Sequence, residues 1–451
     1  MIRETKKVLE ECKKIQEEYF YFTAICEEEA LLQAETANGP LRGLFVSVKD
    51  CLCVKGVESA AGSRILKGYQ PLFDATVIKR LKDAGAIIIG KTAQDEFGFG
   101  SFNTNVGLNV PIPKNPLDRE RVTGGSSGGG AGLTRKASFN HVAITESTGG
   151  SIESPAAFCG VIGFCPTYGR VSRYGLISYA DSLDKIGIMS KKVSEIKPVL
   201  EMISGYDQKD ATSLRAEVDF TAKTGKFKIG IIKESLTKGV GAEIRKKVQW
   251  CINKLKDNGH TVEEVSLPIT FAYGIPAYYI ISTSEASSNL ARFCGLRYGQ
   301  ESNLKNKTFN VYFAEIRSQH FNEESKRRII LGTFARMAGY RDAYYIKATK
   351  VRTKIIQEYK QLFQKYDVLI SPTMPVVAPK FSEVKKMTPL ENYLMDILTV
   401  GPNLAGIPHA SIPIGKVNNL PVGLMANTDH LQEGKLLEFL QIIEDLGDDS
   451  P

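Results

Sequence analysis

Three short stretches of the sequence carry residues that could do chemistry together. Lys49 follows the apolar run at 43–48, and two clusters of small residues come later, GGSSGG at 124–129 and TGGS at 148–151. Because glycine has no Cβ, such loops can bring backbone N–H groups close to an anion or to the oxyanion of a tetrahedral intermediate. The three stretches therefore indicate a site for nucleophilic catalysis.

Serine and lysine side chains can carry out such catalysis without a histidine. A serine hydroxyl is a weak nucleophile and needs a base. A lysine amine can be that base only where burial favours its neutral form. A second serine can relay the proton when the lysine does not reach the nucleophile, and a Gly-Gly pair before the nucleophile can supply donors to the oxyanion.

Each stretch also has a plainer interpretation, which the residues alone leave open. Lys49 could be a solvated residue at a strand end, GGSSGG a flexible loop and TGGS a simple turn. The GxSxG pattern at 124–128 matches the nucleophile elbow of α/β-hydrolases, but a turn-rich segment precedes it where a strand is required. His409 and His430 are interpreted as ordinary loop or surface residues. No Gly-Lys-Ser/Thr follows the glycines, so a phosphate-binding P-loop is excluded.

The surrounding patterns predict an α/β fold. We predict one domain over 1–451, and the segment 206–226 is the only plausible seam between two lobes. The helix at 74–85 is predicted to have Asp74 as its N-cap and Gly85 as its stop signal. Strands are predicted at 43–48, 86–89, 142–144, 228–232, 368–373 and 410–414, and helices at 2–19, 74–85, 242–258 and 323–365.

The composition is that of a globular protein that folds without disulfides or metals. Hydrophobic residues make up 43% of the 451, enough for a sizeable core, and this excludes a disordered chain. The eight cysteines form no C-x-x-C pair and there are only five histidines, so no metal site is expected. The net charge of +8 permits contact with nucleic acid, but no recognition motif accompanies it. With no signal sequence and no apolar run of ~18 residues, we predict a cytoplasmic protein without a membrane span.

From 124 to 175 the sequence resembles the amidase signature family. GGSSGG is followed by TGGSIESPAAFCGVIGFCPTYGRVSRYGL, and the earlier GLFVSVKD resembles the strand that presents that family's lysine. The similarity continues through SEASSNLARF, KRRIILGTFA and NLAGIPHASIPIG, so it covers nearly the whole chain. It implies an α/β fold with a mixed, mainly parallel sheet covered by helices on both faces.

The resemblance also implies a Ser–cis-Ser–Lys triad. Carried over onto this sequence, Ser151 is the nucleophile, Ser126 the cis-serine and Lys49 the general base. The residues implied to form the oxyanion hole with their backbone amides are Thr148, Gly149 and Gly150.

Within the family, the segments PTYGRVSRYGLISYADSLDKIGIM, SEASSNLAR and KVRTKI are typical of the A subunits of glutamyl-tRNA(Gln) amidotransferase. Such subunits hydrolyse glutamine and supply ammonia to a B subunit. With ATP and Mg²⁺, the B subunit converts Glu-tRNA(Gln), and in some members Asp-tRNA(Asn), to the amidated form. The resemblance therefore implies no cofactor in this chain and tRNA contacts mainly through the partner, and it leaves a small C subunit open.

The glutamine pocket implied by the resemblance pairs two opposite charges with the substrate. Arg328 would hold the α-carboxylate and Asp396 the α-ammonium, with Tyr278 as a further pocket residue. Two other functions stay open: a stand-alone amidase acting on another small amide, and a scaffold or tRNA-binding subunit that has lost its chemistry.

Three departures from the family pattern surround the nucleophile. Ser147 replaces the usual acidic residue, with Glu146 one position before it, and Glu153 replaces the usual arginine. The interval from Ser126 to Ser151 is one residue longer than usual. Because the usual acid and base change together, we expect a lost structural ion pair and not a lost catalytic group. A Glu146 or Glu153 carboxylate directed at Ser151 would contradict this. The departures resemble an archaeal-type member.

Overall fold

A computed structural model describes residues 1–107, 110–221 and 225–447 of the chain. Its described strands form one sheet of eleven members. They are β1 (Phe22–Ile25), β2 (Phe45–Lys49), β3 (Ile87–Thr92), β4 (His141–Ser147), β5 (Ile162–Cys165), β6 (Lys185–Ser190), β7 (Lys228–Ile232), β8 (Thr261–Val265), β9 (Val368–Pro372), β10 (His409–Val417) and β11 (Leu420–Asn427). Their order across the sheet is β1-β3-β2-β4-β6-β5-β10-β11-β9-β7-β8.

Helices cover this sheet on both faces. They are α1 (Ile2–Tyr19), α2 (Glu27–Thr36), α3 (Thr76–Asp83), α4 (Gly128–Lys136), α5 (Glu153–Cys159), α6 (Ile196–Ile203), α7 (Ala242–Asp257), α8 (Pro268–Asn289), α9 (Phe309–His320), α10 (Glu323–Arg336), α11 (Lys347–Phe363), α12 (Phe381–Val384), α13 (Pro389–Leu394), α14 (Val400–Ala405) and α15 (Glu433–Asp445). In β3, Ile87 and Ile89 belong to the apolar cluster of α1 and α2, whereas Ile88 belongs to that of α3 and α6. Successive strand residues point to opposite faces, so β3 is buried on both sides.

The α/β class and a mixed sheet covered by helices are confirmed. Parallel pairs occur in two groups, β3-β2-β4 and β9-β7-β8, which makes four of the ten pairings between described strands parallel. Helix α3 forms the crossover between β2 and β3, and α7 forms the one between β7 and β8. A crossover helix is what joins two parallel neighbours in a sheet. The two groups are separated by antiparallel pairs through β6, β5, β10 and β11.

The parallel pair of β2 and β4 determines where the chemistry can lie. Val48 is level with Ile144, so both strands end at the same edge of the sheet. Strand β6 runs antiparallel beside β4 and begins at that edge, with Lys185 opposite Ser147. The end of β2, the end of β4 and the start of β6 therefore meet at one place.

Most of the predicted elements are present, and two details were wrong. The helix predicted at 242–258 is α7, and the strand predicted at 228–232 is β7. Asp74 does not cap α3, because its carboxylate accepts the N–H of Lys55 and pairs with Lys82. The predicted helical stretch at 323–365 is divided into α10, a π-helical turn and α11. Gly339, with φ of 86°, lies at this interruption and adopts the left-handed region that ends a helix.

Strands from both sides of the predicted seam at 206–226 join the single sheet. Residues 222–224 of that segment lie outside the described residues, and the domain organisation stays a prediction. Within the described part of the chain, no helix has both the length and the apolar character that crossing a membrane requires.

Helices α8 and α10 approach each other closely at one glycine. A Cβ built on Gly332 of α10 would overlap the carbonyl oxygen of Thr283 on α8. Arg328 lies one helical turn before Gly332 and is buried on the same helix. The glycine therefore determines how close α10, and with it Arg328, comes to the rest of the molecule.

We predict that Gly332→Ala destabilises the protein. The added methyl group meets a backbone carbonyl that has little freedom to move, and overpacking of this kind costs about 1–3 kcal/mol. The apparent Tm should fall by several degrees in thermal unfolding. Gly239→Ala is the matched control, because a Cβ there meets nothing within 4 Å. Equal midpoints for the two variants would contradict the close approach.

Candidate active site

Lys49 lies fully buried at the end of β2, so it is not a solvated strand end. Its Nζ donates to Ser126 Oγ at 2.8 Å. The same nitrogen contacts two oxygens of Glu146, the backbone carbonyl and side-chain Oε2, each at 2.9 Å. The register of β2 against β4 explains this contact, because Glu146 is the residue before the last in β4. The amine is therefore held between a serine hydroxyl and a carboxylate.

The GGSSGG stretch is a buried turn and not a flexible loop. The peptide bond between Gly125 and Ser126 is cis, as the resemblance implied, and Gly128 begins α4. A Cβ on Gly125 would overlap the carboxylate of Asp95, which approaches the turn from the loop after β3. Glycine is therefore required at the position that precedes Ser126.

Asp95 holds the GGSSGG turn in place through hydrogen bonds. Its carboxylate accepts the N–H groups of Asn103 at 2.9 Å and Asn105 at 2.8 Å, and its own N–H donates to the carbonyl of Ser126. Burial raises the pKa of Asp95 to about 6, although these two hydrogen bonds oppose the shift. The sequence analysis missed Asp95, since it lies outside every motif and is brought to the site only by the fold.

The TGGS stretch connects β4 to α5 and is held from the opposite side by Thr399. Thr399 Oγ1 donates to the carbonyl of Gly149 at 2.7 Å. A Cβ on Gly149 would overlap the ring of Tyr278, and a Cβ on Gly150, whose φ is 153°, would overlap Thr399. Both glycines are therefore required by close neighbours. Thr399 was also missed by the sequence analysis.

The amides of this loop differ in what they can still bind. The N–H of Gly150 already donates to Ser147 Oγ at 3.2 Å. In the part of the chain that the structure describes, the N–H groups of Thr148, Gly149 and Ser151 have no protein acceptor. These three amides are therefore free to stabilise an oxyanion, whereas that of Gly150 is already bound.

Ser151, Arg328, Asp396 and Tyr278 line one small cleft together with Gly125, the neighbour of Ser126. Ser151 is 8% exposed, whereas Lys49 behind the cleft has no exposure at all. The fold therefore brings together residues that lie more than a hundred positions apart. A substrate in the cleft reaches the serine and both charges but not the lysine.

Arg328 is buried in a cage of aromatic rings. Its guanidinium donates to Tyr179 Oη and to Glu324 Oε1, each at 2.8 Å. It also lies 5.1 Å from the ring centre of Phe99 and 5.2 Å from that of Tyr279. Glu324 pairs with the Nε side of the guanidinium, whereas Nη2 has no protein acceptor among the described residues. Arg328 can therefore still donate to an anionic group in the cleft.

Asp396 supplies the opposite charge. Its carboxylate accepts hydrogen bonds from Ser101 Oγ at 2.8 Å and Tyr279 Oη at 2.7 Å. Burial raises the pKa of Asp396 to about 6, although both hydrogen bonds oppose the shift. At neutral pH the carboxylate is therefore mostly ionised, and the cleft carries one cation and one anion, which suits a zwitterion.

The comparisons with known proteins agree with this arrangement. A family model described as Amidase matches residues 3–437. The chain belongs to the amidase family. Two relatives carry the name of the A subunit of glutamyl-tRNA(Gln) amidotransferase. The one from Trichodesmium erythraeum is 41% identical and covers 98% of this chain and 93% of the relative. The one from Methanococcoides burtonii is 45% identical and covers 88% and 83%.

A solved structure agrees as well. The crystal structure of the A subunit of glutamyl-tRNA(Gln) amidotransferase from Thermotoga maritima has a TM-score of 0.82 to this chain. It is 36% identical and covers 99% of this chain and 91% of its own. The resemblance to the amidase signature family is thus confirmed over nearly the whole length.

One of the departures beside Ser151, Glu153, forms a buried pair with His409 in this member of the amidase family. Glu153 is fully buried, and its carboxylate contacts His409 Nε2 directly and accepts a hydrogen bond from Ser147 Oγ at 3.1 Å. The other ring nitrogen of His409 lies 2.8 Å from the carbonyl of Ile407. The interpretation of His409 as a loop or surface residue was wrong, because β10 buries it completely.

The pKa of Glu153 reflects this pair. Burial alone would raise it, but the charge and hydrogen bond of His409 lower it from 4.5 to about 2. Neither Glu153 nor Glu146 has a contact with Ser151 among the described residues; their carboxylates face His409 and Lys49. Neither carboxylate is directed at Ser151, so the arrangement that would contradict the expectation is absent from the described part of the chain; the loss of a structural ion pair and the role of Ser151 stay predictions.

Glu153, His409 and Cys165 are also the only grouping of metal-ligand side chains within the described ranges. One ligand atom from each lies within 4.8 Å of the others. The carboxylate and the imidazole touch each other directly, which leaves no space for an ion between them. An ion pair accounts for this cluster better than a metal does.

We predict that Glu153→Gln destabilises the protein by about 3 kcal/mol at neutral pH. The pKa of Glu153 is lower in the folded protein, so its stabilising effect is complete above pH 4.5 and is lost as the pH falls toward 2. The difference in Tm between wild type and variant should shrink when thermal unfolding is measured from pH 7 down to pH ~3. Glu323→Gln, at an exposed position, should have little effect at any pH. A difference that does not change with pH would contradict the ion pair.

Proposed function

We propose that this chain is the glutaminase component of a tRNA-dependent amidotransferase. It hydrolyses glutamine to glutamate and ammonia, and a partner subunit uses the ammonia to amidate Glu-tRNA(Gln), or in some settings Asp-tRNA(Asn). The names of the relatives from Trichodesmium erythraeum and Methanococcoides burtonii support this role.

The observation that carries the proposal is the charge pattern of the cleft. Free glutamine has an α-carboxylate and an α-ammonium, and the cleft offers Arg328 and Asp396. Its side-chain amide extends away from both charges, and Ser151 lines the same cleft. Tyr278 closes the cleft over Gly149 and shapes the space around the amide. An uncharged amide substrate would leave the buried Asp396 carboxylate without a cation, which is costly in a buried site, whereas Arg328 would keep its ion pair with Glu324.

The proposed reaction begins when Ser151 Oγ attacks the side-chain carbonyl carbon of glutamine. The Ser151 proton passes to Ser126 Oγ as the Ser126 proton passes to the neutral amine of Lys49. The negative oxygen of the tetrahedral intermediate faces the free amides of the TGGS loop. The proton then returns along the same path to the departing nitrogen, ammonia leaves, and water releases glutamate from the serine ester.

The partner completes the chemistry in this proposal. Amidation of the tRNA-bound glutamate needs an activated carboxylate, so the B subunit would bind ATP and Mg²⁺ and make most of the tRNA contacts. This chain itself needs no cofactor for amide hydrolysis, since the nucleophile, the relay and the base are all side chains. Whether a small C subunit joins the complex is open, and a cytoplasmic location stays a prediction.

We predict that Ser151→Ala abolishes ammonia release from glutamine and that Lys49→Ala lowers it by about 10³-fold or more, because one lacks the nucleophile and the other the base. Ammonia is measured with the chain co-purified with its partner subunit. Ser138→Ala, an exposed serine, is the control and should keep the wild-type rate.

The same assay separates the alternative functions. Hydrolysis of another amide through Ser151, with glutamine untouched, would identify a stand-alone amidase. Unchanged turnover in the Ser151→Ala complex would identify a scaffold subunit.

We predict that glutamine binding weakens below pH ~6, because Asp396 has a pKa of about 6 and loses its charge as the pH falls through that value. Affinity is measured by calorimetry in the Ser151→Ala background, so that no turnover occurs. The net charge state of free glutamine does not change between about pH 4 and 7. Asp396→Asn should bind weakly at every pH, and the slope near pH 6 should disappear. A slope that persists in the variant would assign the titration to another group.

A further inference from the structure

The carboxylate of Glu146 contacts Thr148 as well as Lys49, and the proposed reaction uses neither contact. Its Oε2 lies 2.9 Å from Lys49 Nζ, and its Oε1 lies 2.6 Å from the hydroxyl of Thr148. The same hydroxyl lies 2.8 Å from Oδ1 of Asp184, the residue before β6. The four side chains form a buried hydrogen-bonded row that begins at Lys49 and runs away from the cleft. All four residues are at most 3% exposed.

The number of protons available to this hydrogen-bonded row restricts the protonation states of its two carboxyl groups. Thr148 has one hydroxyl proton, so it can donate to only one of its two carboxyl neighbours. Both contacts can be hydrogen bonds only if the other carboxyl is protonated and donates to the threonine oxygen. If both contacts are hydrogen bonds, at least one of Glu146 and Asp184 must therefore carry a proton.

The surroundings assign the proton to Asp184. Burial raises the pKa of Asp184 well above its ordinary value, and the neighbouring Glu146 adds to the shift, although Arg173, the hydroxyl of Thr148 and the N–H of Ala180 oppose it. Glu146, in contrast, accepts a hydrogen bond from Lys49 Nζ with its Oε2 at 2.9 Å, and a carboxylate oxygen does so without carrying a proton. When two carboxyl groups share one site, it is common for one to be protonated while the other is ionised.

We propose that Glu146 is the charged positioning residue of Lys49, and that Asp184 is the protonated acid that completes the hydrogen bonds of Thr148. Glu146 then acts on Lys49 as the aspartate acts on the histidine of a Ser-His-Asp triad. It orients the amine toward Ser126 and stabilises the ammonium that forms when Lys49 takes the proton. The inference rests on the proposed function for the roles of Ser151, Ser126 and Lys49.

Other titratable groups face this hydrogen-bonded row, and they are left unchanged in every test variant. Burial raises the pKa values of the Cys51 and Cys165 thiols well above the ordinary value of a thiol, so both thiols remain neutral. Lys185 begins β6 beside Asp184, and its Nζ donates to the carbonyl of Leu183. These groups are Cys51 after β2, Asp95 after β3, Cys165 on β5, Lys185 on β6 and Arg173, which faces Asp184.

The proposal predicts a shift in the pH profile of the base. An opposite charge in contact with an amine favours the charged form of the amine, and Glu146 Oε2 lies 2.9 Å from Lys49 Nζ. Glu146→Gln should therefore move the acid limb of the activity down by about 1–3 pH units. The plateau rate should fall as well, because a less basic amine is a poorer proton acceptor.

The measurement is the rate at which a fluorophosphonate labels Ser151, as a function of pH, in the chain co-purified with its partner subunit. The serine oxygen displaces fluoride from phosphorus, and its proton leaves through Ser126 to Lys49. The probe has no α-ammonium, so titration of Asp396 does not enter its binding. The pH profile of kcat at saturating glutamine is recorded beside it.

Two matched variants separate charge from structure. Glu146→Asp keeps the charge, so its acid limb should stay near the wild-type position even if its rate falls. Asp184→Asn is a neutral isostere of a protonated aspartate and should also leave the limb in place. The acid limb of the pH profile could instead move as far in Asp184→Asn as in Glu146→Gln. That result would assign the charge to Asp184 and overturn the proposal. A lower plateau without a shift in Glu146→Gln would reduce Glu146 to a structural role.

The outcomes also distinguish this inference from the proposed function. Ser151 labelling that shifts as predicted, in a complex that does not hydrolyse glutamine, supports the role of Glu146 and rejects the glutaminase. Glutamine hydrolysis with an unshifted limb supports the glutaminase and rejects the role of Glu146. Circular dichroism spectra and Tm values of the variants establish that each is folded.

Discussion

The site depends on one buried contact, the hydrogen bond from Lys49 Nζ to Ser126 Oγ. An amine without contact to water is costly to charge, so its neighbours decide whether it can act as a base. The parallel pairing of β2 and β4 brings Lys49 and Glu146 to one edge of the sheet, and the cis turn brings Ser126 to the same edge. The loops that hold nucleophile and substrate are built on this edge.

The substrate cleft illustrates how the protein keeps two opposite charges buried without letting them neutralise each other. Arg328 is surrounded by aromatic rings and by Tyr179, and Asp396 is bound by two hydroxyl groups. Tyr279 touches both residues, since its ring faces the guanidinium and its hydroxyl donates to the carboxylate. The charges are thus fixed in position and remain available to a ligand, which is the condition for recognising a zwitterion.

The altered residues beside the nucleophile follow a common logic. Glu153 finds its partner in His409 on β10, and Glu146 finds its partner in Lys49. Each buried carboxylate contacts a nitrogen from another element: Glu153, which begins α5, contacts His409 of β10, and Glu146 of β4 contacts Lys49 of β2. The first contact lies beside the TGGS loop, and the second lies behind the cleft.

Local patterns in the sequence were sufficient for the strand that presents Lys49, for helix α7 with its buried face and for the two glycine-rich turns, because these depend on periodicity and on the absence of a Cβ. Resemblance to the amidase signature family supplied the candidate roles of Ser126, Ser151, Arg328 and Asp396. Neither source indicated Asp95, Thr399 or Asp184, whose side chains act across long sequence separations. Only the tertiary structure decided that Glu146 faces the lysine and Glu153 a histidine, because a carboxylate's partner is set by which strands lie side by side.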